Sequence, residues 1–192
     1  MTNDNNRAKE IFIKYSCNHL FIDREIYSEE YKGYKIDRAL EEKWRKEFIL
    51  FWKSRLSVDD FKALFRLRDA WAVEVLPELI QTVNKGDSLA MLWYANTIWQ
   101  IANGSRISPF LKWRSRKIAI KIWKELSIKP IRLTEQHEVE IENILKNMLE
   151  LNNSLQSTLD SLGRPNKATL AWATTPDEYI RKYAIRNLSK NK

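Results

Sequence analysis

Apolar residues recur along this chain at three- and four-residue spacing with polar residues between them, the pattern of helices lying against a core. Leu40, Trp44, Phe48, Phe51 and Trp52 predict a helix from Arg38 to about Leu56, with Asp37 as its N-cap and Glu42, Arg45, Lys46 and Lys53 facing outward. Ser57 and Asp60 resemble a capping box with a shorter acid, opening a brief helix with Phe61, Leu64 and Phe65 inside. A helix is expected from Asp69 to about Asn84, bent at Pro77 by the missing N–H and the ring clash. Gly86 ends it, and Asp87 or Ser88 caps the next, whose inward residues are Met91, Leu92, Ala95, Ile98, Trp99 and Ala102, until Asn103-Gly104.

Ser108-Pro109 places a cap and then a first-position proline before a helix to about Leu126, with Leu111, Ile118, Ile122 and Leu126 on one side. Thr134 caps a helix to about Leu151 through Ile141, Ile144, Leu145 and Met148, and Gly163-Arg164-Pro165 interrupts the helical region after it. Thr175-Pro176-Asp177-Glu178 is the clearest boundary, because cap, proline and glutamate agree on one helix start. The N-terminal part is less regular. A short helix over about Ala8 to Tyr15 leads into Ser16–Ile36, which holds Cys17-Asn18-His19, Asp23-Arg24-Glu25 and the aromatic ladder Tyr27, Tyr31 and Tyr34.

Composition narrows the class. With 192 residues, 44% hydrophobic, 30% charged, 4 Gly, 5 Pro and eight Trp, the chain reads as one folded, all-α domain. Most of the tryptophans, Trp44, Trp52, Trp99 and Trp123 among them, fall on apolar faces and are expected in the core. The apolar runs are broken by Lys, Arg or Glu well short of the roughly 20 residues that span a bilayer, and Met1–Asn6 lacks the basic-then-apolar order of a signal peptide. No membrane association and a cytoplasmic location are therefore expected. The net charge of +8 suits a nucleic acid, an anionic surface or an acidic protein as partner, or simply keeps a helical protein in solution.

Candidate chemistry is sparse. Catalysis by acid–base or nucleophilic routes needs a base near a nucleophile, and the chain offers only His19 and His137. His137, one turn into a helix beside Glu138 and Glu140, reads as solvated. Cys17 and His19 supply two metal ligands at most, and there is no phosphate-binding glycine loop, no H-E-x-x-H and no paired-cysteine motif. No metal, cofactor or enzymatic activity is expected. His19, Asp23 and Arg24 are kept as candidates for a polar site. Arg114, Lys117, Lys121 and Lys124 lie within about 80° of one another on the 3.6-residue period, so one helix face carries a stripe of cations that a phosphate backbone can follow. Arg181, Lys182, Arg186, Lys190 and Lys192 would extend it, although cations also suit a helix C-terminus for structural reasons.

Two segments look alike. Gly86-Asp87-Ser88 through Ala95 to Ile98 and Thr175-Pro176-Asp177 through Ala184 to Leu188 each place an acidic turn before a helix with a small residue at its contact. Asp87 and Asp177 are 90 residues apart, twice 45, within the roughly 40 to 47 residue period of HEAT and armadillo arrays. Over about residues 69 to 190 the chain resembles HEAT-repeat proteins: Leu76-Pro77-Glu78-Leu79 is similar to the kinked first helix of a repeat, and Asp177, Ile180, Arg181, Ala184 and Leu188 to its second. The first unit departs from the family in carrying Met91 or Leu92 where an arginine is usual, and the middle unit, near 109 to 126 and 135 to 151, fits by length alone.

The resemblance implies a short right-handed array of antiparallel helix pairs over 69–190, with residues 1–68 as an N-terminal helical cap that includes the irregular segment 16–36. An irregular single-core helical bundle is the alternative. It also implies an interaction surface. Glycosylases built on HEAT-like helices use aromatic and acidic residues on a basic concave face, and no matching catalytic motif is present. The expected function is a non-enzymatic protein–protein interaction scaffold, such as a bacterial immunity, inhibitor or adaptor protein. The alternative is a nucleic-acid-binding protein that uses the basic helix face and an accessible Trp or Tyr.

Overall fold

A computed structural model describes residues 3–104, 107–161, 173 and 175–190, without the side chains of residues 3 and 152–161. Gly163-Arg164-Pro165 and Lys192 lie outside the described residues. Within them the chain is all-helical, without a strand: α1 (Asn3–Lys14), α2 (His19–Ile22), α3 (Ser28–Gly33), α4 (Arg38–Lys53), α5 (Lys62–Asp69), a 3-10 turn (Val73–Val75), α6 (Leu76–Thr82), α7 (Ser88–Gly104), α8 (Pro109–Ile128), α9 (Glu135–Ser161) and α10 (Pro176–Ser189). None of these helices is long and apolar enough to cross a membrane.

α7 is the centre. Its buried residues, Leu89, Ala90, Leu92, Tyr94, Ala95, Asn96, Thr97, Ile98, Ile101 and Ala102 among them, lie all round the helix, as expected of one enclosed by neighbours. α5, α6, α8 and α10 pack on it, and α1 reaches the same core through α4. α8 has α7 and α10 as its main neighbours, whereas α9 packs chiefly on α10. Three side-chain hydrogen bonds pin this centre. The Trp123 indole N–H of α8 and the Asn187 amide of α10 both donate to Asn96 Oδ1 of α7, at 3.0 and 2.7 Å. Tyr94 donates its hydroxyl proton to the Ser57 carbonyl at 3.0 Å, tying α7 to the loop before α5.

Asp37 stands at the N-cap of α4 without a side-chain bond, and Ser57 and Asp60 accept from Asp59 and Lys62 in the turn before α5 in place of the expected capping box, whereas two other caps act as expected. Ser108 Oγ accepts from the Leu111 N–H and Thr175 Oγ1 from the Glu178 N–H, each followed by a proline in the first turn. Pro77 differs from expectation. It stands in the first turn of α6 instead of inside a long helix, because α5 ends at Asp69 and the chain turns over Ala70–Val75 before restarting. A proline there loses no helical hydrogen bond. α9 continues ten residues past the expected end, to Ser161. Gly86 is required by a close approach, since a Cβ there would overlap Ala90 Cβ and meet Val58 Cβ at 3.0 Å.

Ser16–Ile36 is more ordered than its sequence suggests. Ser16 and Cys17 both take left-handed backbone at φ 55° and close the end of α1 through Cys17 N–H to Phe12 O at 2.8 Å. Two short helices, α2 and α3, then fold back over α1 and α4, burying Ile22 and Tyr31.

Candidate functional site

The outward face of α8 carries the basic stripe. Ser115, Ala119, Ile122, Trp123 and Leu126 are buried on the inner side, so Arg114, Lys117, Lys121 and Lys124 are left exposed on the outer one. Pairing on this face is slight: Lys121 lies 3.9 Å from Glu125, which Lys129 approaches more closely at 3.1 Å. An exposed pair of that length neutralises little.

Phe110 and Trp113, 68% and 56% exposed, stand on the same face, and Ile128 closes its far end. Together the seven side chains lie within about 100° of arc on the helical period. The two rings have centroids 6.2 Å apart and are inclined at 33°. The Lys117 ammonium sits 4.9 Å from the centre of the Trp113 ring and joins the aromatic end to the cation row. Phe110 and Trp113 were absent from the sequence candidates, although both fall on the helical period of the cations, each four residues before one of them, Arg114 and Lys117 respectively. The inference that tryptophans sit in the core obscured Trp113. It holds for Trp44 and Trp123, which are 0% and 1% exposed, and Trp52 and Trp99 pack partly buried against the core.

The α10 cations are differently placed. Arg181 bonds Asp177 at 2.7 Å and reaches the Ser127 carbonyl at 3.4 Å, so it serves the C-terminal turn of α8. Lys182 lies 3.6 Å from Glu178, and Arg186 is exposed in the last turn of α10.

The polar candidates near the N-terminus have different partners. His19 Nε2 lies 3.1 Å from Glu41 Oε2 on α4, and the Tyr31 hydroxyl donates to the other oxygen of that carboxylate at 2.5 Å. Asp23 instead accepts from Ser28 at 3.5 Å and lies 3.6 Å from Lys32, while Arg24 is exposed. His19 and Cys17 line a cleft of about 440 Å³ with Glu41, Arg45 and Glu74. Burial pushes the Cys17 thiol up to about 12, which keeps it protonated and unreactive. Arg45 donates to the Ala70 carbonyl at 2.5 Å and to that of Trp71 at 3.4 Å, holding the left-handed Trp71 (φ 49°) at the end of α5. Arg45 is thus committed to protein groups, and Arg38 at the rim of the cleft lies 3.3 Å from Glu42. Among the described residues no cluster of three or more His, Cys, Asp or Glu side chains is placed to hold a metal ion.

His137 corrects a sequence expectation. It is 1% exposed, not solvated: its Nδ1 lies 2.7 Å from Asp87 Oδ2, its ring stacks on Phe61 at 5.0 Å, and Nε2 is buried without a hydrogen-bond partner among the described residues. Asp87 also accepts from the N–H groups of Ala90 and Thr134, at 3.0 and 2.8 Å, and so joins the starts of α7 and α9. Because a carboxylate only accepts, the imidazole proton belongs on Nδ1. Glu138 and Glu140 point elsewhere on the helix, and the pair is a structural clasp.

No known protein family matches this chain, and neither curated proteins nor solved structures yield a significant match.

Proposed function

We propose that this protein is a non-enzymatic nucleic-acid-binding protein whose contact surface is the outer face of α8. The observation that carries the reading is the coincidence, on one exposed helix face, of four cations with two accessible aromatic rings. Cations in successive turns bind phosphates by releasing condensed counterions, and exposed rings offer stacking surfaces to bases. The same rings without cations would suit a protein partner better, and the same cations without rings would suit a solvated face.

The helical scaffold is part of the proposal. Stacked helices that share a core and leave one helix face outward present a long surface to an extended partner. The packing of α8 on α7 and α10 supports the irregular-bundle form of that scaffold over consecutive HEAT-like pairs. A protein partner is the second reading, favoured by the exposed Leu50 and Phe51 on α4.

Equilibrium binding of labelled oligonucleotides tests the proposal. Arg114→Ala/Lys117→Ala/Lys121→Ala should weaken binding at least about tenfold. A control triple, Lys43→Ala/Lys46→Ala/Lys85→Ala, removes equal charge from exposed positions elsewhere and should have a much smaller effect. Equal losses in the two variants would reduce the interaction to net charge. Absence of binding in the wild type would transfer the function to the protein-scaffold reading.

A further inference from the structure

We infer that the ligand of this face is single-stranded nucleic acid, with bases stacked on Phe110 and Trp113 and the adjoining phosphates held along Lys117, Arg114, Lys121 and Lys124. The inference deepens the nucleic-acid reading and rests on it.

Three features of α8 select the single strand. The first is the accessibility of the rings, since Phe110 and Trp113 are more than half exposed in the first turns of a helix whose other face is fully buried. A base can stack only where its own face is free, and in a duplex both faces are covered by neighbouring base pairs. The second is the chemistry of the face. Its cations suit phosphates or base edges alike, but Phe110, Trp113 and Ile128 set apolar surface among them, where a helix that reads a duplex through the major groove would carry further hydrogen-bonding groups.

The third is order along the axis. The rings lie at the N-terminal end and the cations follow over about 15 Å of helix, from residue 114 to residue 124, at 1.5 Å per residue. A strand laid along α8 therefore meets base-stacking surface first and phosphate-binding surface after it. Lys117 connects the two. Its ammonium now covers the Trp113 ring at 4.9 Å, and a base taking that place displaces it toward the phosphate beside it, so the cation exchanges one favourable contact for another.

The test compares labelled oligothymidylate and oligouridylate with a mixed-sequence duplex of the same length, at one salt concentration, for the wild type and for Phe110→Leu/Trp113→Leu. Both rings are exposed, so the variant should keep its circular dichroism spectrum and melting temperature. Single strands should bind the wild type at least about tenfold more tightly than the duplex, and the variant should lose that advantage while keeping its salt dependence. Photocrosslinking to thymine should map to the 110–117 segment. Wild-type affinity of the variant for single strands, with binding still lost in Arg114→Ala/Lys117→Ala/Lys121→Ala, would overturn the stacking inference and leave the nucleic-acid reading standing. Preference for the duplex would likewise overturn it. Failure of the wild type to bind any of the three probes would overturn both. The relative affinity for the thymidylate and uridylate strands assigns the ligand to DNA or RNA.

Discussion

Asp87 does three jobs with one carboxylate: it caps α7 through Ala90, receives the Thr134 N–H at the start of α9, and holds the His137 imidazole. All three partners donate. Asp87→Asn would turn an amide N–H toward one or more of them, and we expect it to cost about 2 kcal/mol or more, read from the urea midpoint. A change below about 0.5 kcal/mol would mean that the clasp contributes little. Burial governs the ionisable hydroxyls and the thiol. It pushes Tyr94, Tyr179 and Cys17 up to about 12, and it also raises Tyr31, which donates to Glu41 as well. In the unfolded chain the thiol ionises at about 8.5 and the tyrosines at about 10. Between those values and about pH 12 the unfolded state therefore holds fewer protons than the folded one, and stability falls as pH rises. The urea midpoint should drop progressively above about pH 9.5; a flat midpoint to about pH 11 would contradict the burial of these groups. The acidic counterpart is Glu78, whose hydrogen bond from Lys53 holds it below the usual carboxylate range, so its small, partly screened contribution is present above about pH 4.5 and lost as pH falls below it.

At the scale of elements, α8 explains how one sequence pattern supports two surfaces. The small residues Ser115 and Ala119 let α8 approach its neighbours closely, and Trp123 and Leu126 fill the space beside them. Ala119→Glu would place a charge where Ala119 is 0% exposed, and we expect it to abolish cooperative folding or to cost at least about 3 kcal/mol in thermal or urea unfolding. Trp113→Leu on the opposite face should change stability by less than about 0.5 kcal/mol. Much of the element structure was legible in the residues. Thr175-Pro176-Glu178 and Ser108-Pro109 announce their helices because a cap and a proline act locally, without help from the rest of the fold. Pro77 was misread because the same residue bends a helix inside and starts one at its first turn, and only the path of Ala70–Val75 separates the two cases.

At the scale of the molecule, composition and period identified an all-helical chain, yet they left open which helices touch. The pairing of α8 with α10 across more than forty residues has no local signature; it rests on Asn96, Trp123 and Asn187 meeting in the interior. The burial of His137 was hidden for the same reason, since Asp87 lies 50 residues away. The site was half legible. Four cations on one period stand out in a sequence, whereas Phe110 and Trp113 resemble ordinary core residues until the inner face of α8 is known. The measurement that bears most directly on the account is the salt dependence of single-strand binding. On single strands each phosphate contact contributes a slope of about −0.7 in log K against log salt, so four cations predict about −2.8 for the wild type and about −0.7 for Arg114→Ala/Lys117→Ala/Lys121→Ala. A slope left unchanged by that triple substitution would place the contact elsewhere and contradict the assignment of α8 as the nucleic-acid surface.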